Sequence, residues 1–206
     1  MEMHDYTLRR NRINPVLRDM LADTVVTPAN LMYPVFVKQG AGINTPVASM
    51  PGVCQQSPDV LVRSLERLCA QGLRSIIIFG VIEAAQKDAH GSHIMGPDSI
   101  VAQALTAIKK AGLPLLCAVD LCFCEYTSHG HCGERDPVTS VNNQQTVIAL
   151  GKQAVALARA GADMIAPSGM MDGAVAGIRD ALDEAGFSHL PIMGYTAKYA
   201  SSFYGP

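Results

Sequence analysis

The sequence predicts an α/β fold in which buried parallel strands alternate with amphipathic helices. Short apolar runs are typical of strands that are buried on both faces. Five such runs occur at residues 31–37, 75–81, 115–119, 164–166 and 192–195. Helical patterns lie between them, and repeated β-α units of this size imply right-handed connections within one sheet.

The predicted helices carry apolar residues on one face, and each is followed by a glycine that can end it. Over residues 59–70 the apolar face consists of Leu61, Leu65, Leu68 and Cys69. Over residues 98–111 it consists of Ile100, Val101, Leu105 and Ile108. The two further helices are predicted over residues 144–160, which are rich in alanine, and over residues 174–185.

A doubly wound sheet and a (β/α)8 barrel share this pattern. No G-x-G-x-x-G motif follows the first run, so a dinucleotide-binding sheet lacks its signature. Asp120, Ser168 and Lys198 lie at or just past the carboxyl ends of successive apolar runs, where a barrel builds its active site. Because a closed barrel needs eight strands, the prediction is an incomplete (β/α)8 TIM barrel with about the first five β/α units.

The composition fits one globular domain or a large part of one. Of 206 residues, 49% are hydrophobic and 17% are charged, which is enough for a core. We expect an amino-terminal arm over residues 1–28 and a partial-barrel catalytic domain over residues 29–206, without the carboxyl-terminal strands. The net charge of -2 argues against nucleic acid as a partner. No run approaches the ~20 apolar residues of a membrane span.

Three cysteines directly after an apolar run form the most informative segment of the sequence. Cys122, Cys124 and Cys132 follow Asp120 in the pattern C-x-C-x7-C. Thiolates that converge from a short loop suit zinc, and three protein ligands leave a fourth position open, as in catalytic zinc sites. The alternative is three reduced cysteines in a loop without metal. The cysteine usage as a whole suits a reducing compartment, so we expect a cytoplasmic protein.

Three motifs, in the right order, resemble segments of one enzyme family. They are the cysteine segment, A-P-S-G-M-M-D-G at residues 166–173, and Y-T-A-K-Y-A-S-S-F-Y-G-P at residues 195–206. All three are similar to segments of the porphobilinogen synthase (5-aminolevulinate dehydratase) family. Y-P-V-F-V at residues 33–37 and M-P-G-V at residues 50–53 resemble its amino-terminal half. The resemblance covers essentially the whole chain.

The resemblance implies a reaction and a cofactor. The family condenses two 5-aminolevulinate molecules to porphobilinogen with loss of two waters, in tetrapyrrole (haem) biosynthesis. Its members assemble through an amino-terminal arm into homo-oligomers, which are octamers. The basic cluster at residues 8–12 would belong to that arm. By resemblance, the three cysteines hold the catalytic Zn²⁺.

The resemblance also assigns roles to individual residues. Lys198 would form a Schiff base with the substrate ketone, while Asp120 and Ser168 would be catalytic residues beside it. Phe203 and Tyr204 would bind substrate. His131 would lie outside the ligand set, or at most bind an auxiliary metal. Family members are longer and carry a second active-site lysine, whereas no lysine follows Lys198. We therefore expect the amino-terminal portion of such an enzyme, inactive by itself.

Other interpretations stay open at this point. Lys198 can be a solvated surface residue, Asp120 a loop cap and Ser168 a turn residue. A different Schiff-base lyase on the same barrel, such as a class I aldolase, has no need of zinc thiolates. A non-catalytic zinc-binding protein derived from the enzyme is the second alternative. Imine formation also needs a lowered pKa at Lys198, because a free lysine of pKa ~10.4 is protonated at neutral pH.

Overall fold

The computed structural model describes residues 8–96, 98–195, 198–199 and 201–202. Its α-helices are α1 (Pro15–Met20), α2 (Pro58–Ala70), α3 (Ile100–Lys110), α4 (Asn143–Arg159) and α5 (Ala174–Glu184). Its strands are β1 (Met32–Lys38), β2 (Asn44–Pro46), β3 (Cys54–Gln56), β4 (Ser75–Val81), β5 (Leu116–Leu121), β6 (Arg135–Asp136), β7 (Ser140–Val141) and β8 (Met164–Pro167). Among these helices, none combines the length and hydropathy that a membrane crossing needs.

The main sheet has the strand order β2-β3-β1-β4-β5-β8. Strands β3, β1, β4, β5 and β8 are parallel, and only β2 runs antiparallel to its neighbour. Since α2, α3 and α4 connect β1 to β4, β4 to β5 and β5 to β8, the four long strands follow one another as β-α units. This order is the one found in a barrel, where each strand lies beside the next in sequence.

Helices α2, α3, α4 and α5 form the main core with one face of this sheet. The core joins strand and helix residues, among them Val35, Ile78, Leu65 and Leu105. The second, smaller cluster consists of Ile77, Ala118 and Ala166. Burying an isoleucine or leucine side chain contributes about 1.5–3 kcal/mol, so the helix-covered face anchors the strands. This packing holds the strands in place, and the site described below lies at their carboxyl ends.

The predicted strand over residues 192–195 is only partly formed. Ile192 makes an isolated parallel bridge with Ile165 of β8. The later bond from the amide of Tyr195 to β8 is long, at 3.4 Å. The expectation of a fifth regular strand is corrected accordingly. We attribute the interruption to Gly194, which offers no side chain for packing and weakens a strand from within.

Residues 8–31, which precede β1, contribute no buried side chain to the core. None of residues 8–31 is buried. Helix α1 begins at an Asn14 cap, whose side chain accepts a hydrogen bond from Val16 N at 2.9 Å. Apolar side chains such as Val16 and Met20 remain exposed on this helix. The site described below therefore rests on residues from β1 onward.

Candidate active site

Asp120 and Ser168 meet at the carboxyl ends of two adjacent strands. Asp120 is the penultimate residue of β5, and Ser168 directly follows β8. The register places Asp120 beside Ala166, and the Ser168 hydroxyl donates a hydrogen bond to Asp120 Oδ2 at 3.0 Å. Parallel pairing of β5 and β8 thus brings together two residues that are far apart in sequence.

Asp120 is a buried carboxyl group with only 3% of its surface exposed. Tyr195 donates its hydroxyl hydrogen to Asp120 Oδ1 at 3.1 Å, so each carboxyl oxygen accepts one hydroxyl bond. Burial raises the pKa of Asp120 to about 6, while hydrogen bonds from Ser168 and Tyr195 and the charge of Lys198 oppose the rise. A carboxyl group with such a pKa can accept or release a proton near neutral pH.

Cys122, Cys124 and Cys132 form a compact thiol cluster. Their Sγ atoms all lie within 4.8 Å of one another, and the Sγ atoms of Cys122 and Cys124 are 3.2 Å apart. Zinc–sulfur bonds of about 2.3 Å in tetrahedral geometry separate the sulfurs by roughly 3.8 Å. Small shifts would therefore bring all three sulfurs to one ion. Thiolates select zinc and other soft or borderline ions, so the donor set fits such a metal.

The cysteine loop, residues 122–134, is folded back by its own residues. The amides of Tyr126 and Thr127 both donate to Phe123 O at 2.9 Å. The rings of Phe123 and Tyr126 are buried and anchor this turn in the core. The Thr127 hydroxyl then donates to His131 O at 3.0 Å, which closes the loop just before Cys132.

Negative charge in the thiol cluster is concentrated on Cys132. Hydrogen bonds from Cys122 and Cys124 lower the pKa of Cys132, and the nearby Lys198 ammonium adds to the effect. The pKa of Cys124 is raised, above all by its hydrogen bond with Cys122. One thiolate is thus stabilised within the cluster, and the thiolate is the form that binds a metal.

Lys198 joins the thiol cluster to the aspartate and serine pair. Its Nζ donates to Ser168 O at 2.8 Å and to Cys132 Sγ at 3.4 Å. Partial burial lowers the pKa of Lys198, but the negative charge of the cysteines outweighs burial and the net shift is upward. Lys198 is therefore an ammonium here, whereas imine formation requires the neutral amine. The contacts described here do not by themselves lower the pKa of Lys198, as imine formation needs.

Gly133 allows the returning limb of the cysteine loop to pack directly on α4. A Cβ at this position would lie 2.5 Å from Thr146 Oγ1 and 3.0 Å from Val141 Cγ1. Thr146 is buried and accepts a hydrogen bond from Glu134 N at 3.0 Å. The position of Cys132 therefore depends on the absence of a side chain at the next residue.

Replacing Gly133 with alanine is expected to destabilise the protein by about 1–3 kcal/mol, the usual cost of overpacking a filled site. Denaturant unfolding measures the change. Gly96→Ala is the matched control, because among the described residues a Cβ there meets His93 O at an ordinary 3.5 Å and no other atom. Equal stabilities of the two variants would contradict the packing described here.

The side chain of His129 in the cysteine loop bonds to groups outside the thiol cluster. His129 Nε2 bonds to Ala89 O at 3.1 Å, and its Nδ1 accepts from His131 N at 3.1 Å. Among the described residues, the group of side chains able to hold a metal consists of the three cysteines. The predicted substrate-binding residues Phe203 and Tyr204 lie outside the described residues.

Two features of the site were not predicted from the sequence. One is the bond from Tyr195 to Asp120, although Tyr195 opens the same motif that contains Lys198. The other is the loop after β4, which contacts the cysteine loop at several points. No pattern in the sequence of that loop indicates the contact.

The fold and the site together define a class of protein. It is a β/α-barrel chain in which a lysine, a buried aspartate and three clustered thiols share the carboxyl ends of the strands. The sequence profile described as "ALAD: Delta-aminolevulinic acid dehydratase" matches residues 5–206. The chain belongs to the delta-aminolevulinic acid dehydratase family.

Individual relatives agree with this assignment. The chain is 50% identical over 202 residues to the delta-aminolevulinic acid dehydratase of Synechococcus elongatus, covering 96% of this chain and 61% of the relative. It is 45% identical over 200 residues to that of Helicobacter pylori, covering 97% and 61%. The chain thus spans about 61% of the length of these curated relatives.

A solved structure supports the fold. The chain superimposes with a TM-score of 0.89 and 37% identity on the delta-aminolevulinic acid dehydratase (porphobilinogen synthase) of Toxoplasma gondii ME49 in complex with its reaction product porphobilinogen. The match covers 97% of this chain and 56% of that one. The predicted family and the predicted partial barrel are both confirmed.

Proposed function

We propose that the protein containing this chain is a porphobilinogen synthase, which condenses two 5-aminolevulinate molecules with loss of two waters in haem biosynthesis. The observation that carries the proposal is the contact of Lys198 with both Ser168 and Cys132. This contact joins a potential imine-forming lysine, a buried aspartate and a thiol cluster in one site. Family membership supplies the substrate.

In this proposal Lys198 binds one substrate covalently. The neutral amine attacks the ketone carbon of 5-aminolevulinate, and the carbonyl oxygen leaves as water when the imine forms. Asp120, with its pKa of about 6, accepts or donates a proton beside the imine. The Ser168 and Tyr195 hydroxyls orient the carboxyl group through the bonds at 3.0 Å and 3.1 Å.

Cys122, Cys124 and Cys132 would hold a zinc ion. A zinc ion bound there would supply Lewis acidity, polarising a substrate group at its open fourth position. Three thiolates on Zn²⁺ leave a formal charge of about -1, so this Lewis acid is softer than one with three histidines. The same donor set should accept lead or cadmium.

Several further assignments belong to the proposal. The chain divides into an arm over residues 1–28 and a partial-barrel domain over residues 29–206. Phe203 and Tyr204 are proposed to bind the substrate. The protein works in the cytoplasm, which is consistent with six cysteines that form no disulfide. It assembles as a homo-oligomer, and the exposed residues before β1 are the segment proposed to contact another copy.

A polypeptide of these 206 residues alone is expected not to release porphobilinogen. The family mechanism uses two lysines, and Lys198 is the last lysine of the sequence. The described residues beyond β8 also complete no further regular strand of the main sheet, although Ile192 forms an isolated bridge with β8. Turnover of 5-aminolevulinate by the purified 206-residue polypeptide, checked by mass spectrometry for longer species, tests this. Turnover comparable to that of a complete enzyme would overturn it.

A second candidate is a zinc-binding protein without catalytic activity. The hydrogen bonds of Lys198 Nζ to Ser168 O and Cys132 Sγ favour it, because an amine held by two protein partners is not free to attack a ketone. A protein of this kind would bind zinc but leave 5-aminolevulinate unchanged. Formation of porphobilinogen by zinc-loaded protein containing the complete barrel decides between the two candidates. Stoichiometric zinc without any product would overturn the enzyme proposal.

A further inference from the structure

The loop after β4 holds the cysteine loop from outside. Residues 88–92 of this loop are called the brace below. Asp88 forms a parallel bridge with Thr127. Its carbonyl oxygen accepts a hydrogen bond from Ser128 N at 2.8 Å. The brace is therefore fixed to the middle of the cysteine loop through backbone contacts.

The brace is itself a tight turn. Asp88 Oδ1 accepts hydrogen bonds from His90 N at 2.8 Å and Ser92 N at 3.1 Å. The hydroxyl of Ser92 bonds to the same carboxylate and is the main reason why the pKa of Asp88 is lowered. Gly91 has a φ of 59°, and a Cβ there would lie 3.1 Å from Phe123 Cδ1. The turn thus has a defined shape and presses against the cysteine loop.

The brace also reaches the returning limb of that loop through a side-chain pair. His90 Nδ1 lies 2.9 Å and 3.1 Å from the two carboxylate oxygens of Glu134. The backbone of Glu134 is held by α4, because its amide donates to Thr146 Oγ1 at 3.0 Å. Its carbonyl accepts from Asn142 N at 2.8 Å. Glu134 is therefore fixed on two sides, and Cys132 lies only two residues before it.

The three cysteines differ in how the fold positions them. Cys122 directly follows β5, and Cys124 lies two residues further on. The end of that strand therefore sets the position of both. Cys132 returns only after seven intervening residues, so its place must be imposed by tertiary contacts. Ordering such a loop costs conformational entropy that otherwise reduces the affinity for a ligand.

We propose that His90 is a positioning residue, which acts through Glu134 to hold Cys132 in place for a thiophilic divalent cation. The inference rests on the proposed metal site and names a residue outside the ligand set that tunes its affinity. His90 touches neither a thiol nor a substrate group in this role. Its contribution is to keep the third ligand close to the other two.

The expected effect is modest because the pair is partly exposed. The side chain of His90 is 72% exposed, and that of Glu134 is 22% exposed. Exposed ion pairs are weak, and their usual strength corresponds to a change of about 1.5- to 5-fold in a dissociation constant. Loss of the pair should therefore weaken metal binding by this factor without abolishing it.

The test is a Co²⁺ titration against a competing chelator, read from the thiolate-to-cobalt charge-transfer band. His90→Ala, Glu134→Ala and the double variant are compared with wild type. Glu83→Gln is the matched control, because it breaks another exposed pair of the same loop, Lys38–Glu83 at 2.9 Å. His90→Asn is the rescue variant, since its amide nitrogen can take the place of Nδ1.

The proposal expects both single variants to weaken Co²⁺ binding about 1.5- to 5-fold, and the double variant to be no weaker than either. His90→Asn and Glu83→Gln should bind like wild type. Amide exchange across residues 124–134 in the metal-free protein should be faster in His90→Ala than in Glu83→Gln. Unchanged affinity and exchange in His90→Ala, or additive losses in the double variant, would overturn the role of His90. A wild type without the charge-transfer band would instead overturn the metal site.

Discussion

Replacing Lys198 with alanine is expected to remove the covalent adduct that borohydride traps between the protein and 5-aminolevulinate at this position. Borohydride reduces an imine to a stable amine, so trapping marks the lysine that has formed one. Lys198 is the lysine in contact with Ser168 O and Cys132 Sγ. Mass analysis of the peptide that contains residue 198 measures the adduct directly.

The matched control is Lys152→Ala, which removes an exposed lysine from α4. This variant should retain the full adduct at Lys198. Its circular dichroism and that of Lys198→Ala should match wild type, so that loss of trapping is not loss of folding. An unmodified Lys198 in wild-type protein that contains the complete barrel, under turnover conditions, would contradict the Schiff-base role.

Replacing Cys124 with alanine is expected to reduce bound zinc from one ion per chain to nearly none. Only two of the three clustered sulfurs would remain. Loss of an outer partner of a metal ligand typically costs about 10–100-fold in affinity, and loss of a ligand itself should cost more. Elemental analysis and the charge-transfer band of the cobalt form measure the effect.

Cys54→Ala is the control for the loss of a thiol outside the cluster, because Cys54 belongs to β3. It should bind zinc like wild type. Full zinc content and an unchanged cobalt spectrum in Cys124→Ala would contradict the ligand assignment. Equal loss in both variants would point to general destabilisation and not to a lost ligand.

The sequence predicted the long elements well, because their patterns are local. Runs rich in isoleucine and valine, such as residues 75–81, correspond to β4 with the same bounds. The three-residue strands β2 and β3 are too short to produce a recognisable period. The prediction of a regular strand over residues 192–195 is wrong, because an apolar run does not show whether a neighbouring strand pairs with it along its whole length.

The residues of the candidate site stand out in the sequence, but the contacts between them do not. Asp120, Ser168 and the cysteines stand out because each follows a strand or forms a ligand-like pattern. The bond between Lys198 and Cys132 joins residues 66 positions apart, so only tertiary structure reveals it. The same holds for His90 and Glu134, 44 positions apart. The upward shift of the pKa of Lys198 comes from the charge of the clustered cysteines, Cys122 first and then Cys132, and is likewise invisible in the sequence.

The most direct test of the account is a crystal structure of the zinc-loaded protein after borohydride reduction with 5-aminolevulinate. The central claim is that Lys198 and the three cysteines serve one site. The predicted result is one zinc ion at about 2.3 Å from the sulfurs of Cys122, Cys124 and Cys132, with the reduced substrate on Lys198 Nζ in the same pocket. Zinc bound elsewhere, or substrate attached away from the carboxyl ends of the strands with Lys198 unmodified, would contradict the claim.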